Sequence, residues 1–183
     1  MRILILANND VGLYRFRKEL IVELLKTNQV FLSLPNGEYV NRLTDIGCSF
    51  IDTHISRHGT NPFEDLKLLR FYKKTIKNIK PDIVLTYTIK PNVYGGIACS
   101  ALKISYLSNI TGLGNAVENK GLLQKITLSL YKKGLKKASC VYFQNTQNMD
   151  YMIRKNIIKG DCVLLPGSGK RLLLRHSWSV HAI

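Results

Sequence analysis

The chain has 183 residues, 45% of them hydrophobic. This is enough for one substantial hydrophobic core, but two complete domains would be small for a chain of this length. It carries 27 basic and 12 acidic side chains, a formal net charge of +15 that suggests an acidic partner: nucleic acid, an anionic membrane surface or a phosphorylated substrate. No apolar run reaches the roughly 18 residues that a membrane-spanning helix needs. The apolar run after Met1-Arg2 is too short for a signal sequence, so we expect a cytoplasmic protein.

Short β-branched or leucine-rich runs alternate with longer amphipathic runs. This alternation is typical of βαβ units around a parallel sheet. Strands are predicted at residues 3–7, 30–34, 49–52, 83–86, 105–109, 141–144 and 162–165. Helices are predicted at residues 14–27, 38–46, 62–79, 92–102, 122–137 and 146–155. Most strands are apolar throughout, as strands buried on both faces should be, so we predict an α/β fold with a Rossmann-like doubly wound parallel sheet.

Helix ends and cysteines add detail to this prediction. Pro62 and Pro91 suit first-turn positions, and Asn61 and Thr146 are predicted to cap their helices. The cysteines are too far apart for the C-x-x-C spacing of metal or redox sites. We therefore expect buried free thiols and no metal site at Cys48, Cys99, Cys140 and Cys162.

Ligands of doubly wound sheets bind at the carboxyl ends of the strands, so the residues after each strand are candidates for a site. After the first strand comes Asn-Asn-Asp-Val-Gly-Leu-Tyr-Arg-Phe-Arg, residues 8–17. Gly12 would let the backbone approach a ligand, and N–H groups at the helix start, with Arg15 or Arg17, can receive a phosphate. The run lacks the G-x-G-x-x-G fingerprint of dinucleotide-binding proteins. The alternative is a glycine turn with Asn-Asp capping.

Polar loops also follow the third and fourth strands. Arg57 and His58 can meet an anionic or hydroxylated substrate, although a loop histidine is more often merely solvated. Residues 86–96, Thr-Tyr-Thr-Ile-Lys-Pro-Asn-Val-Tyr-Gly-Gly, gather hydroxyls, an amide, an aromatic ring and one lysine at a helix start. These groups are suited to bind the hydroxyls of a sugar that lies beside a phosphate. For Gly95-Gly96 we favour close packing of helix on sheet.

After the fifth strand comes Asn-Ile-Thr-Gly-Leu-Gly-Asn-Ala-Val-Glu-Asn, residues 109–119. Its two glycines allow a tight bend around a ligand, and Thr111, Asn115 and Glu118 offer polar contacts. Glu118 is the one acid between Asp82 and Asp150. It can serve as a base, or it is simply a surface group.

Two predicted helices carry basic faces. Residues 120–137 hold six lysines and no acid, and residues 62–80 repeat the pattern with five lysines and Arg70. Basic residues beside an apolar stripe suit a helix that lies on anionic lipid. The alternative is a helix that faces the core and exposes its lysines to water.

Four of these segments together resemble the N-terminal domain of family four retaining glycosyltransferases, of the bacterial type that extends lipid-linked or capsular polysaccharide units. They are Ile-Leu-Ile-Leu-Ala-Asn-Asn-Asp (3–10), Ser-Arg-His-Gly-Thr-Asn-Pro (56–62), Thr-Tyr-Thr-Ile-Lys-Pro-Asn (86–92) and Asn-Ile-Thr-Gly-Leu-Gly (109–114). The resemblance runs from residue 1 to about 169. It implies GT-B architecture, in which two Rossmann-like domains face a cleft and the N-terminal one mainly holds the acceptor.

The resemblance also implies roles for individual residues. It places the loop around Gly12 near the donor diphosphate, where Arg15 offers a charge, and it places residues 111–114 at the reaction centre. The catalytic candidates are therefore Thr111 and, from its chemistry, Glu118. Many relatives have a histidine where this chain has Thr111, so a histidine-based role is in doubt here. No metal or cofactor is needed, because helix N-termini and basic side chains offset the diphosphate charge. Because the resemblance gives the acceptor mainly to this domain, the polar and glycine residues of its loops are the acceptor-binding candidates: Asn9, Tyr14, Arg57, His58, Thr88, Lys90, Asn92, Gly112, Gly114 and Asn115.

The family's C-terminal domain supplies paired glutamates and the basic residues that hold the nucleotide. We expect that domain to be absent, and this chain to fold but to have little or no transferase activity alone. Residues 170–183, which hold the one Trp and no acid, are expected to be foreign to the domain, with a native terminal helix as the alternative. The intact parent is expected on the inner face of the cell membrane.

Two other functions fit parts of the sequence. A basic Rossmann-like module that binds nucleic acid or an anionic membrane without catalysis would explain the charge of +15. Against nucleic acid, the lysines lie on helices without interleaved aromatics and no nucleic-acid motif is present. We therefore expect no nucleic-acid partner. A nucleotide-sugar epimerase also has an open α/β sheet, but a dinucleotide fingerprint or a clear acid–base pair is expected there, and neither is seen.

Overall fold

A computed structural model of the chain describes residues 1–54, 61–114 and 121–165. Seven strands in these residues form one sheet: β1 (Arg2–Leu6), β2 (Gln29–Leu34), β3 (Ser49–Asp52), β4 (Ile83–Tyr87), β5 (Tyr106–Ile110), β6 (Cys140–Phe143) and β7 (Cys162–Leu164). The helices are α1 (Asp10–Leu25), α2 (Val40–Asp45), α3 (Pro62–Ile79), α4 (Gly96–Leu102), α5 (Leu122–Leu135) and α6 (Thr146–Arg154). A π-helical turn, Pro91–Gly95, leads directly into α4. No helix in the described part of the chain is long and apolar enough to cross a membrane.

The sheet is parallel throughout, with strand order β3-β2-β1-β4-β5-β6-β7. The chain moves outward from β1 to β3 and then returns to place β4 on the other side of β1. This reversal is the switch point of a doubly wound sheet, where loops diverge and leave a crevice above the strand ends. The predicted α/β fold is confirmed.

Helices cover both faces of the central strands, which explains why those strands are apolar throughout. In β1, Ile3 and Ile5 belong to the core beneath α1 and α2. The alternate residues Leu4 and Leu6 pack with Leu68 of α3 and with residues of α4 on the opposite face. A third cluster lies under α5 and α6, centred on buried side chains such as Tyr131, Phe143 and Met152. The strands β1 and β4 are thereby held between two helical layers.

The predicted elements all form, and the largest error concerns the start of α1. The helix begins at Asp10, not at residue 14, because the Asn9 side chain caps it by accepting a hydrogen bond from the Gly12 N–H at 2.6 Å. Asn61 caps α3 as predicted. Thr146 does not cap α6, because the preceding Asn145 accepts from the Asn148 N–H at 2.8 Å.

The cysteines follow the prediction only in part. All four are free thiols, but Cys140 and Cys162, near the edge of the sheet, are only half-buried. Cys48 and Cys99 are buried, and burial raises the pKa of Cys48 to about 11 and that of Cys99 to about 12. These two thiols therefore stay protonated near neutral pH.

Two glycines bring α4 against α5. A Cβ atom at Gly96 would lie 2.0 Å from the carbonyl oxygen of Gly134 and 3.1 Å from the Tyr106 ring. The Tyr106 hydroxyl donates to the same Gly134 carbonyl at 2.7 Å and accepts from the Lys137 N–H at 3.2 Å. The neighbouring Gly95 instead packs against the sheet, where a Cβ would lie 2.7 Å from Leu6. The pair therefore packs closely on the sheet, as predicted, and also on a second helix.

A buried polar network joins the carboxyl ends of β4 and β5. The Thr86 hydroxyl donates to Asn92 Oδ1 at 2.6 Å and lies 3.0 Å from the Ser108 hydroxyl. Asn92 Nδ2 donates to the Asn109 carbonyl at 2.9 Å, and its backbone N–H donates to the Thr88 carbonyl at 3.0 Å. Because Asn92 is only 1% exposed, its amide is occupied in holding the two strand ends together.

The glycine contact predicts a loss of stability in Gly96→Ala. The added methyl group would overlap the Gly134 carbonyl, so α4 and α5 must separate, at a cost of about 1–3 kcal/mol in the free energy of unfolding. Urea unfolding followed by circular dichroism measures this loss. Gly160→Ala is the control, since a Cβ there meets Ala138 at an ordinary 3.9 Å. Equal unfolding midpoints for the two variants would show that the close contact does not matter.

The polar network makes a second prediction, for Asn92→Ala. This variant leaves the Thr86 hydroxyl and the Asn109 carbonyl without their amide partner in a buried site, which should cost about 1–3 kcal/mol in the free energy of unfolding. Asn78→Ala removes the same amide from an exposed position of α3 and should change stability little. The prediction fails if chemical denaturation gives both variants the stability of the parent chain.

Candidate functional site

A cavity of about 330 Å³ lies above the switch point of the sheet. From α1 and its cap it is lined by Asn9, Gly12, Leu13, Phe16 and Arg17. From the ends of the strands it is lined by Ala7, Tyr87, Thr88, Thr111 and Gln144. The cavity thus lies where the topology of a doubly wound sheet predicts a ligand site, between α1 and the residues that follow β4, β5 and β6.

The start of α1 forms one wall, with Asn9 at its corner. The Asn9 amide accepts from the Gly12 N–H and donates to Asn8 Oδ1 at 2.8 Å, so both of its polar atoms have protein partners. A Cβ at Gly12 would lie 2.8 Å from Asn9 Oδ1. Because Gly12 has no side chain, the Asn9 cap can form and the cavity beside Gly12 is not narrowed.

The next turn of α1 supplies the charge of the cavity. The Arg17 guanidinium lies 5.4 Å above the centre of the Tyr87 ring, and its Nη1 donates to the Phe16 carbonyl at 2.9 Å. Among the described lining residues Arg17 is the charged one. Phe16 is 54% exposed although it is a large apolar side chain. The Phe16 ring is thus available for contact with a ligand at the cavity wall.

Tyr87 and Thr88, at the end of β4, form the opposite wall. Burial raises the pKa of the Tyr87 phenol, and the Arg17 charge partly opposes this shift. Thr88 has φ of +70°, in the left-handed region that β-branched residues rarely adopt, and its hydroxyl donates to the Tyr87 carbonyl. A conformation of this kind costs on the order of 1–3 kcal/mol and is found mostly at functional sites. The hydrogen bond from the Asn92 N–H to the Thr88 carbonyl helps to hold it.

The loop after β5 brings Thr111 to the cavity. Among the described residues, none lies within 4 Å of the place that a Cβ at Gly112 would take. Gly114 has φ of +69°, and a Cβ there would lie 2.9 Å from Ile89. The tight bend expected of these two glycines is therefore made at Gly114.

Several predicted site residues lie elsewhere. Tyr14 and Arg15 contact Tyr39, beside α2, rather than the cavity. Lys90 forms an ion pair of 2.9 Å with Asp65 of α3, whose other carboxylate oxygen accepts from the Tyr94 hydroxyl at 2.8 Å. This half-buried link fastens the turn after β4 to the first turn of α3.

Four of the predicted site residues lie outside the described part of the chain: Arg57, His58, Asn115 and Glu118. Of the remaining ten, the structure brings Asn9, Gly12, Thr88 and Thr111 together at the cavity. Sequence reasoning named Arg17 only as an alternative to Arg15 and did not select Phe16. Helical periodicity would have predicted both residues. Phe16 and Arg17 follow the buried Leu13 by three and four residues, so all three lie on one side of α1.

The arrangement suits recognition of a ligand that is part sugar and part phosphate. Aromatic rings beside hydroxyl and amide groups can bind the two faces and the hydroxyls of a sugar. The Arg17 guanidinium can form paired hydrogen bonds with phosphate oxygens. The cavity therefore has the side-chain groups that are needed to bind and orient such a ligand.

The sequence matches a family described as "Glycosyl transferase 4-like" over residues 2–145. A relative from Campylobacter jejuni, N,N'-diacetylbacillosaminyl-diphospho-undecaprenol alpha-1,3-N-acetylgalactosaminyltransferase, is 32% identical over 158 residues, which cover 83% of this chain and 42% of the relative. The chain thus spans less than half of that relative.

Solved structures of low sequence identity share the fold. A glycosyltransferase from Rickettsia africae has a TM-score of 0.66 at 18% identity, over 89% of this chain and 42% of that chain. The UDP-GlcNAc 2-epimerase from Methanocaldococcus jannaschii has a TM-score of 0.62 at 16% identity, over 90% of this chain and 45% of that chain. The fold alone therefore does not separate transferase from epimerase. The sequence match makes the distinction: the chain belongs to the glycosyl transferase 4-like family and has the fold of one half of a GT-B glycosyltransferase.

Proposed function

We propose that the chain forms the acceptor-side half of an enzyme that moves a sugar from a nucleotide-sugar donor to a lipid-linked acceptor in cell-surface polysaccharide synthesis. The observation that carries this proposal is the cavity at the switch point, with one arginine beside aromatic and hydroxyl groups, in a chain of this family. The name of the Campylobacter relative specifies an acceptor that joins a sugar to undecaprenol through a diphosphate. An acceptor of that class has the sugar and phosphate groups that the cavity suits.

In this proposal Arg17 binds a phosphate. Its guanidinium lies over Tyr87 and so keeps its orientation, which reduces the entropy lost when it forms paired hydrogen bonds with phosphate oxygens. The Gly12 N–H already donates to Asn9, so the helix start assists through its dipole more than through that donor. We keep Gly12 as the point of closest backbone approach to the donor diphosphate. Arg17, rather than Arg15, makes the phosphate contact in the cavity, and the phosphate that it binds is the diphosphate of the lipid-linked acceptor.

The sugar lies against the polar wall. Thr88 and Thr111 offer hydroxyl groups, and the exposed Phe16 ring offers a flat apolar surface. We place Thr111 next to the reacting atoms, as the family resemblance implies, and we retain Glu118 as a candidate base because it is the acid of this loop. The expectation that this chain alone transfers little or no sugar stays a prediction, which sugar transfer at wild-type-like rates by this chain would contradict.

The membrane contact is proposed for the face that carries α3, α4 and α5. The first turns of α3 and α5 expose large apolar side chains: Phe63 and Leu66 on α3, and Leu122, Leu123 and Ile126 on α5. The later turns of α3 expose Lys67, Arg70, Lys74 and Lys77, while Lys132 and Lys133 are exposed near the end of α5. Helices that insert apolar residues and place lysines among anionic headgroups bind the membrane surface.

This orientation also fits the position of the cavity. Because both helices start near the carboxyl edge of the parallel sheet, their apolar turns lie toward the same edge as the cavity. A membrane contact there would bring a lipid-linked acceptor close to its site. We therefore place the protein on the inner face of the cell membrane, as a peripheral protein.

The assignment of Arg17 predicts weaker ligand binding in Arg17→Gln. Loss of a charge-assisted contact worth about 1.5–3 kcal/mol should weaken binding of farnesyl diphosphate, a soluble probe of the lipid diphosphate, by about tenfold or more. Isothermal titration calorimetry on the full chain measures the affinity. Arg2→Gln is the control, since Arg2 is exposed at the amino end of β1. An unchanged affinity in Arg17→Gln, or an equal loss in Arg2→Gln, would refute the assignment.

The membrane proposal predicts that Phe63→Glu and Leu122→Glu reduce sedimentation with phosphatidylglycerol vesicles. Phe63 is 77% exposed and Leu122 is 75% exposed, so neither change should disturb the core. Each replaces an inserting apolar group by an anion, and a decrease of about tenfold or more in vesicle affinity is expected. Leu20→Glu, at an exposed position of α1, is the control. Tight retention on nucleic acid at physiological salt, without preference for anionic vesicles, would instead favour the nucleic-acid module.

A further inference from the structure

Two tyrosine rings form a platform between α1 and α2. Tyr14 comes from α1 and Tyr39 immediately precedes α2, and their ring centres lie 5.0 Å apart at an angle of 34°. The backbone N–H of Tyr39 donates to the buried carboxylate of Asp10 at 2.7 Å. This bond fixes the loop before α2 against the start of α1. The platform is thus part of the folded structure and not a chance contact of surface side chains.

Three cations gather on this platform. Arg42 lies 5.1 Å from the centre of the Tyr39 ring and 5.6 Å from that of Tyr14. Lys18 lies 5.0 Å from the Tyr14 ring centre, and Arg15 lies 5.8 Å from that of Tyr39. Arg15 also donates to the Tyr39 hydroxyl at 3.3 Å. We call these five residues the α1–α2 cation cluster.

Within the described part of the chain, no ion pair offsets the positive charge of the cluster. The ion pairs of the described residues involve Lys26, Lys67 and Lys90, and none includes Arg15, Lys18 or Arg42. Glu38 acts on Arg15 from a distance, as a weak charge interaction. Ring faces attract a cation but carry no net charge, so they hold the three side chains without neutralising them. Each of the three cations lies within 6 Å of one of the two rings, so an anion at this platform would be attracted by all three.

The local potential is reflected in the Tyr14 phenol. Hydrogen bonding by Arg42 and then by Lys18 lowers its pKa, against a smaller effect of burial in the opposite direction. The cations thus favour negative charge at the Tyr14 oxygen. The same positions would favour the oxygens of a bound anion.

The cluster and the cavity lie on different sides of α1. Leu13 and Arg17 line the cavity, four residues apart on one stripe of the helix. Tyr14 and Lys18 form the next stripe, about 100° around the helix axis, which faces α2. An anion on the cluster would therefore be separate from one held by Arg17.

We propose that the α1–α2 cation cluster binds a diphosphate or phosphomonoester group, supplied either by a free phosphorylated solute or by the headgroup of an acidic lipid. Two guanidinium groups and one ammonium group match the charge of a diphosphate, and a guanidinium can contact two phosphate oxygens at once. This inference does not depend on the proposed function, because it concerns residues that do not line the cavity.

The test is calorimetric titration of the full chain with inorganic diphosphate at low salt. Arg42→Gln and Lys18→Gln should each weaken binding by about fivefold or more, and Arg42→Lys, which keeps the charge but loses the planar fork, should fall between Arg42→Gln and the parent. Lys159→Gln is the charge-matched control, since it is exposed at the amino end of β7. Thermal unfolding of each variant checks that the fold is retained, and Lys18→Gln, on α1, keeps the test valid if changes at Arg42 disturb α2.

The variant Arg17→Gln separates this inference from the proposed function. If Arg17→Gln abolishes diphosphate binding and the changes at Arg42 and Lys18 have no effect, the anion binds in the cavity and the cluster proposal is overturned. If the cluster variants lose binding and Arg17→Gln does not, the cluster is an anion site whatever the cavity binds. Equal losses in Lys159→Gln would show only a general charge effect and would also overturn the proposal.

A second arm identifies the source of the phosphate. Vesicles of phosphatidylcholine with phosphatidic acid are compared with phosphatidylcholine alone, for the parent chain and for Arg42→Gln. Binding that requires phosphatidic acid and falls about fivefold or more in Arg42→Gln supports a lipid headgroup. Binding of soluble diphosphate that depends on Arg42, with vesicle binding that does not, supports a free solute. If neither binding depends on Arg42, the cluster is not a phosphate site.

Discussion

The position of the candidate site follows from the point at which the chain reverses direction across the sheet. β1 pairs with β2 on one side and with β4 on the other, so the loops that leave these strands diverge above β1. The cap of α1 and the end of β4 become the two walls of a crevice whose floor is the apolar end of β1. Thr88, Thr111 and the pair Phe16-Arg17 come from three distant parts of the sequence and meet only because of this topology.

The wall formed by the end of β4 is held from below by polar groups, which is unusual for the interior of an α/β domain. Thr86, Ser108 and Asn92 satisfy one another in a region where an unpaired polar atom would be costly. Apolar residues would fill the same space at less risk, but they would not fix the direction of the turn that carries Thr88. The network therefore exchanges simple packing for a defined backbone conformation beside the cavity.

Sequence reasoning predicted the sheet well because its signals are local. A buried parallel strand is a short apolar run, and each such run formed a strand close to its predicted bounds. The predicted start of α1 at residue 14 is wrong because the polar run Asn8, Asn9 and Asp10 hides the helix start: Asn9 is the cap and Asp10 already begins the helix. The cap of α6 was placed one residue late for a similar reason, since Asn145 and Thr146 are both good caps.

Side-chain roles at the site were harder to predict because they depend on contacts across the fold. Arg15 and Arg17 are equally basic in sequence, and only the packing of α1 turns Arg17 to the cavity and Arg15 to Tyr39. The amide of Asn92 is a group that often binds ligands. In the fold it is buried, and it forms hydrogen bonds that join the ends of β4 and β5. The contact between Gly96 and Gly134 also limits engineering. Neither residue has a side chain whose size could be adjusted, and an added Cβ at Gly96 would overlap the Gly134 carbonyl. The cavity residues can be exchanged to alter specificity, whereas the α4–α5 crossing is a fixed spacer that redesign has to leave alone.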